Sequence, residues 1–193
     1  KWADVVAIGP GLSREEETVK AVRQFLIEKR YKLAVIDADA LFAINKSFLE
    51  KVSLQNCVLT PHLGEFSQMI AGDVNLIAKD MLSYGKEFVT KYKCVLVLKG
   101  APTIVFNPDG EAFINSAGNS GMAKFGTGDV LAGIISGILS QNKNVETAAI
   151  AGVYLHSLAA DLLLKDKPIS NYLASDVMNN YSSAVKFLEE SIV

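Results

Sequence analysis

Residues 115–141 read NSAGNSGMAKFGTGDVLAGIISGILSQ, and the step from the glycine-rich half into the apolar half decides the fold. Gly126, Thr127, Gly128 and Asp129 run straight into an apolar helical stretch, residues 130–139. A glycine-rich turn feeding a helix leaves backbone N–H groups unpaired at the positive end of the helix dipole, which makes an anion site. Asp129 at that mouth has two readings. It is either an N-terminal capping acid, accepting a hydrogen bond from an N–H two or three residues on, or a general base. In the second reading the helix terminus keeps the carboxylate ionised, and the same N–H groups stabilise charge on a phosphoryl group beside it.

Working back from this stretch, the chain alternates strands and helices. Residues 5–8, VVAI, read as a buried strand broken by Gly9-Pro10-Gly11. Ser13 with Glu16 then fits a capping box for a helix whose face carries Val19, Val22, Phe25 and Leu26. A second strand, residues 33–36, ends in Asp37-Ala38-Asp39, and a third, residues 57–59, ends in Thr60-Pro61-His62-Leu63-Gly64-Glu65. Residues 75–91 space Ile77, Met81, Tyr84 and Phe88 as one helix, and residues 94–98 form a continuous apolar run of the kind covered on both faces. Two short strands, 104–106 and 111–114, flank the turn Asn107-Pro108-Asp109-Gly110 and read as an antiparallel hairpin. Two further helices are expected at 145–164 and 174–190. The order points to a three-layer α/β domain, with a mostly parallel central sheet flanked by helices and a hairpin on one edge.

Composition narrows the function classes. At 193 residues, 50% hydrophobic and 21% charged, the chain can bury a substantial core within one domain. A formal net charge of −2 with dispersed lysines offers no basic field for a nucleic-acid backbone, so no nucleic-acid partner is expected. Cys57 and Cys94 sit in apolar runs with no Cys-x-x-Cys neighbour, the setting of structural thiols in a reducing cytoplasm. The most apolar segments, 130–139 and 147–160, fall short of the roughly 18 residues of a spanning helix, so they read as core helices and no membrane partner is expected.

Each polar cluster falls at the carboxyl end of an expected strand or the amino end of a helix, so all can meet on one rim of the sheet. The members are Gly9-Pro10-Gly11, Asp37 and Asp39, His62 and Glu65, residues 99–103, and residues 115–129. Individually they have plain alternatives: Asp37 and Asp39 as solvated loop acids, His62 as a helix cap, Lys99 as an exposed strand end. No Walker sequence and no G-x-G-x-x-G fingerprint occurs.

Taken together, IGPGLS (8–13), VIDADAL (35–41), LTPHLGEF (59–66), VLKGAPT (97–103) and GNSGMAKFGTGDVLAGI (118–134) resemble the ribokinase-like superfamily. Within it they resemble the ADP- or ATP-dependent NAD(P)H-hydrate dehydratases. GTGD alone resembles only the superfamily; TPHLGE with GMAK and GTGDVLAG is what resembles the dehydratases specifically. The resemblance spans essentially the whole chain and implies a ribokinase-like fold. It also implies a metabolite-repair reaction, in which the hydroxyl of hydrated NADH or NADPH is phosphorylated by a nucleotide and lost as phosphate.

Carried over residue by residue, the resemblance makes Asp129 the base and Gly126, Thr127 and Gly128 the anion hole. Nucleotide-binding positions are Lys99, Gly100, Ala101, Pro102, Thr103, Asn115, Asn119, Gly121, Met122, Ala123, Lys124 and Gly128. Gly11 and His62, with Asp129, match positions that contact the hydrated dinucleotide. Mg²⁺ is expected to bridge the nucleotide phosphates largely through water, with no protein ligand assigned. A homo-oligomer, tetrameric in the family, is implied.

The sequence departs from the family pattern at Phe125, where AKGGTGD has glycine, and at Ser13, where GPGLG has glycine. Phe125 is expected to reshape nucleotide contacts. The family's domain begins some tens of residues before a strand like 5–8, so the resemblance implies a single domain over 1–193 that lacks an N-terminal segment. A vitamin-precursor kinase of the same superfamily, or a nucleotide-sensing module without catalysis, stand as alternatives.

Overall fold

The computed structural model describes residues 3–192; Lys1, Trp2 and Val193, at the ends of the domain expected over 1–193, lie outside the described residues. In chain order the elements are β1 (Val5–Ile8), α1 (Glu16–Ile27), β2 (Leu33–Ile36), α2 (Asp39–Phe42), α3 (Lys46–Leu49) and β3 (Cys57–Leu59). There follow α4 (Leu63–Ile70), α5 (Val74–Lys79), α6 (Met81–Tyr92), β4 (Val95–Leu98), β5 (Ile104–Phe106) and β6 (Ala112–Ile114). The chain closes with α7 (Thr127–Asn142), α8 (Val145–Leu162), α9 (Ala174–Asn179) and α10 (Tyr181–Ile192).

The six strands among the described residues lie side by side in chain order, β1 to β4 parallel and β5 and β6 antiparallel. Parallel strands stepping one way through right-handed crossovers put every connecting helix on the same face. Helices α1 to α6 accordingly cover one face, meeting Ala34, Ile36, Leu59, Leu96, Leu98 and Phe106. The opposite face receives the alternate residues Val35, Val58, Val95, Val97 and Val105, which pack on α7 and α8. The back of α8 forms a third core with Tyr172, α9 and α10. Each fully buried aliphatic side chain in these layers contributes roughly 1.5–3 kcal/mol. The expected three-layer α/β architecture with an edge hairpin is the one observed.

Several local expectations change. The long helix expected at 75–91 is two, α5 and α6, because the Asp80 carboxylate caps α6 by accepting from the Ser83 N–H at 3.1 Å. The helix expected at 174–190 likewise divides into α9 and α10; between them the Asn180 side chain donates to the Ala159 carbonyl of α8 at 2.8 Å. The Ser13–Glu16 capping box does not form: α1 starts at Glu16 without a side-chain cap. Ser13 sits at φ +72° and its N–H donates instead to Asp39, at 3.0 Å.

Helix α8 with its 3-10 extension runs unbroken over Val145–Lys165, 21 residues at a mean hydropathy of 1.5. That is longer than the apolar spacing in the sequence indicates and long enough, by length and composition, to cross a membrane. Here it is a core helix, with Ala148, Ala149, Gly152, Val153 and residues 155–160 buried. Cys57 and Cys94 are free, and burial pushes their thiols upward, that of Cys57 to about 11, as befits inert packing groups.

Candidate functional site

The parallel strands end on one rim, and the hydrogen-bond ladder continues past their ends. Asp37 N–H donates to the Ile8 carbonyl at 3.0 Å, Thr60 N–H to Ile36 at 3.1 Å, and Lys99 N–H to Pro61 at 2.8 Å. A cleft of about 340 Å³ opens there, between the ends of β1 and β2 and the first turns of α7. Gly9, Pro10, Leu12, Asp37, Asp129 and Gly133 are among its lining residues. Gly9 has φ +142°, and a Cβ there would stand 1.7 Å from the Asp37 carbonyl oxygen, so only glycine lets these two strand ends close on each other.

Asp129 lies in the first turn of α7 and is exposed to this cleft. It is not a cap. The N-cap position belongs to Gly126, which at φ +88° turns the chain into the helix and offers no side chain, and the Asp129 carboxylate accepts no hydrogen bond among the described residues. The N–H groups of Gly128 and Asp129 have no partner there either. The helix start is an open row of donors beside an uncommitted carboxylate. Thr127 contributes differently from expectation: its hydroxyl turns back to the Met122 and Lys124 carbonyls, both at 2.8 Å, and its N–H lies 3.4 Å from the Lys124 oxygen. Its side chain holds the loop and does not face the cleft.

Opposite α7 stands a charged cluster. Asp37 is almost fully buried; its Oδ1 accepts from the Thr60 hydroxyl at 2.8 Å and from Lys99 Nζ at 2.9 Å. Lys99 Nζ also lies 3.9 Å from Glu65 and 3.4 Å from the point a Cβ on Gly128 would occupy. The ammonium thus stands against the mouth of α7. Asp39 serves elsewhere, its carboxylate taking the Ser13 N–H at 3.0 Å and Arg14 Nε at 2.9 Å and so pinning the loop that carries Gly11. Neither acid is a solvated loop residue.

His62 is the N-cap of α4. Its Nδ1 accepts from the Gly64 and Glu65 N–H groups at 3.0 and 3.2 Å, and Glu65 returns the bond to the His62 N–H at 2.8 Å. With Nδ1 an acceptor, the proton sits on Nε2, on an exposed edge 3.5 Å from Glu65. His62 does not line the cleft; Glu65, between His62 and Lys99, links it to the charged cluster.

The loop before α7 is tied to α8. Asp161 accepts from the Gly118 N–H at 2.7 Å and from Asn119 Nδ2 at 2.8 Å, while Asn119 Oδ1 accepts the Gly121 N–H at 3.0 Å. Asn115 Nδ2 reaches the Ser157 hydroxyl at 2.9 Å, and Gly121 packs on the ring of the buried Tyr172. Of the expected nucleotide positions, Asn119 and Gly121 are therefore committed to the loop's own structure, and Met122 is half-buried against the third core. Ala123 and Lys124 are exposed. The segment holding Lys99, Gly100, Ala101, Pro102 and Thr103, with a cis Ala101–Pro102 peptide, joins this loop through the Asn115 N–H, which donates to the Thr103 carbonyl at 2.9 Å.

Phe125 is fully exposed, at 105% of its reference area, and does not have a positive φ. Its ring projects into solvent instead of packing on the loop before α7, and its backbone does not need glycine. Asp161, Ser157 and Tyr172, which hold the loop, are not among the residues expected from the sequence. Asp161 carried a signal, a lone acid in the apolar run SLAADLLL. Nor is His156 among those expected residues: it lies buried beneath α7, with an Nε2 that has no hydrogen-bond partner among the described residues. Burial pushes its pKa down to about 4, against a contact with the Thr127 backbone that raises it.

The family profile described as NAD(P)H-hydrate dehydratase matches residues 1–182. A bifunctional NAD(P)H-hydrate repair enzyme of Moorella thermoacetica is 38% identical over 190 residues, 98% of this chain and 36% of the relative. The ADP-dependent (S)-NAD(P)H-hydrate dehydratase of Bacillus subtilis is 34% identical over 176 residues, 89% of this chain and 60% of the relative. Among solved structures, the ADP/ATP-dependent NAD(P)H-hydrate dehydratase of B. subtilis, co-crystallised with ATP/Mg²⁺ and soaked with CoA, superposes with a TM-score of 0.81 at 32% identity, over 95% of this chain and 66% of that one. The chain spans about a third of the length of the bifunctional relative and three fifths of that of the single-activity one.

Proposed function

Because this chain belongs to the NAD(P)H-hydrate dehydratase family, we propose that it converts hydrated NADH or NADPH back to the reduced cofactor at the expense of ADP or ATP. The observation that carries the reading is Asp129, a cleft-facing carboxylate with no hydrogen-bond partner among the described residues, beside the open N–H groups of α7.

Asp129 takes the proton of the substrate hydroxyl as its oxygen attacks the terminal phosphorus, and the P–O bond to the nucleotide breaks. The negative charge that develops on the phosphoryl oxygens meets the Gly128 and Asp129 N–H groups and the Lys99 ammonium. The ring C–O bond then breaks with its electron pair leaving on phosphate, and an adjacent ring carbon gives its proton to that departing phosphate or to solvent. The net change is loss of water from the ring and of one phosphate from the nucleotide. Phosphorylation is needed because hydroxide is a poor leaving group and phosphate a good one.

The cleft's carboxylates, Asp37 and Asp129, are the hard oxygen donors that suit Mg²⁺, and the described residues hold no group of three His, Cys, Asp or Glu side chains that could ligate a metal. This donor set would leave the ion its waters and the nucleotide phosphates as ligands, with Asp129, the carboxylate not committed to an ion pair, open to that water shell. When bound, the ion neutralises phosphate charge. Two buried, free thiols support a reducing cytoplasm as the compartment, and family membership supports a homo-oligomer, tetrameric by resemblance.

A coupled assay tests the reading. Hydrated NADH incubated with ADP or ATP and Mg²⁺ is expected to yield NADH with matching release of phosphate. Absence of conversion together with phosphorylation of a vitamin-precursor alcohol would move the protein to the superfamily's kinases.

A further inference from the structure

We propose that Asp37 is a positioning residue of the phosphoryl-transfer site, holding the Lys99 ammonium fixed against the first turn of α7. This rests on the reaction proposed above and extends it to a residue that touches neither reactant. The carboxylate is 2% exposed at the end of β2, yet it is not isolated: Oδ1 accepts from Lys99 Nζ at 2.9 Å and from the Thr60 hydroxyl at 2.8 Å. Thr60 comes from the end of β3 and Lys99 from the end of β4, so three neighbouring strands meet on one carboxylate oxygen. The lysine is then confined between Asp37, Glu65 at 3.9 Å, and the backbone of Gly128.

Stability does not explain such an arrangement. A buried ion pair is seldom more stabilising than apolar residues of the same shape, and every neighbouring strand position is apolar: Ile36, Leu59 and Leu98. What the pair does is local. Without Lys99, two carboxylates, Asp37 and Asp129, would face one cleft where phosphates are to bind. Without Asp37, the ammonium keeps its charge but loses the contact that fixes it, on a side chain with a flexible four-carbon stem. Ground-state attraction for phosphate needs only the charge. Stabilising the transferring group needs the charge in place beforehand.

The two roles separate in a double-mutant cycle read by ADP calorimetry, turnover of hydrated NADH and thermal melting. Asp37→Asn is expected to bind ADP at least as tightly as wild type while kcat falls about 10- to 100-fold, since positioning is lost and attraction kept. Lys99→Met is expected to weaken ADP binding roughly tenfold or more, because the Asp37 charge is left uncompensated. Adding Asp37→Asn to Lys99→Met should then tighten ADP binding again and cost no further kcat, so the same substitution has a different effect in the two backgrounds. Thr60→Val, which removes the other anchor of the carboxylate, should show a weaker form of the Asp37→Asn pattern while Lys99 is intact and none once Lys99 is replaced by methionine; it carries the test if Asp37→Asn fails to melt cooperatively. A kcat for Asp37→Asn within twofold of wild type, or an equal loss with and without Lys99, overturns the proposal. If wild type turns over no hydrated NADH, the functional reading fails, and the ADP-affinity arms alone decide whether Asp37 acts through Lys99.

Discussion

At the carboxyl ends of β1 and β2 a cleft of about 340 Å³ is lined by Gly9, Asp37 and Asp129, whereas at the amino ends of β3 and β4 a hollow of about 270 Å³ is lined by Gln55, Asn56, Lys93, Cys94, Pro108 and Val145. The volumes are similar and the chemistry is not. At the carboxyl end a buried carboxylate is paired to an ammonium, helix N–H groups are left open, and backbones approach so closely that Gly9 admits no side chain. At the amino end the polar groups do ordinary work: Lys93 ends α6 in the left-handed region, and its ammonium donates to the Pro108 carbonyl at 3.3 Å. Size does not mark the site. What marks it is polar structure that costs stability and is kept all the same.

That contrast is broken most severely at Gly9. Gly9→Ala puts a Cβ into the Asp37 carbonyl at a positive φ, and we expect a loss of about 3 kcal/mol or more of unfolding free energy, measured by urea denaturation. An unchanged midpoint would mean that the strand ends are not locked together as described.

His156 sharpens the contrast next, through pH. Its folded pKa of about 4 lies below the 6.5 of an unperturbed histidine, so the neutral form is favoured by folding. Above pH 6.5 both states are neutral and nothing is lost. As pH falls from 6.5 towards 4 the unfolded chain takes up a proton that the folded one refuses, and stability drops by up to about 3 kcal/mol before levelling off. His156→Leu should flatten the stability profile between pH 4 and 6.5, read as the urea midpoint at each pH; an unaltered slope would assign the acid sensitivity elsewhere.

Much of this was legible in the sequence, and the exceptions have physical reasons. Strand cores such as CVLVLK and the GTGD step announce themselves because burial on two faces and a helix start each demand a narrow set of residues. The separate roles of Asp37 and Asp39 were not legible, since a carboxylate's partner depends on which strand ends stand beside it. The break at Asp80 was hidden because Ile77, Met81, Tyr84 and Phe88 keep helical spacing across it, although Asp80 could have been read as a cap. His62 takes its plain reading, capping α4, with its Nε2 edge left exposed outside the cleft.

Two smaller effects bound the comparison. Phe125→Gly should change ADP affinity by less than about threefold, because the ring lies wholly in solvent; a larger change by calorimetry would place the ring against the nucleotide. Asn56→Gly, at the amino end and at φ +68°, should leave turnover unchanged and stability within about 0.5 kcal/mol. A drop in turnover there would erase the distinction between the two ends.

The central claim, that Asp129 is a base and not a cap, is tested most directly by Asp129→Asn, with turnover of hydrated NADH and ADP affinity measured on the same preparation. The expected result is a fall in kcat of roughly 100- to 10,000-fold with ADP binding and the melting transition retained, since the open N–H groups of α7 remain. Turnover close to wild type, or turnover and stability lost together, would contradict it.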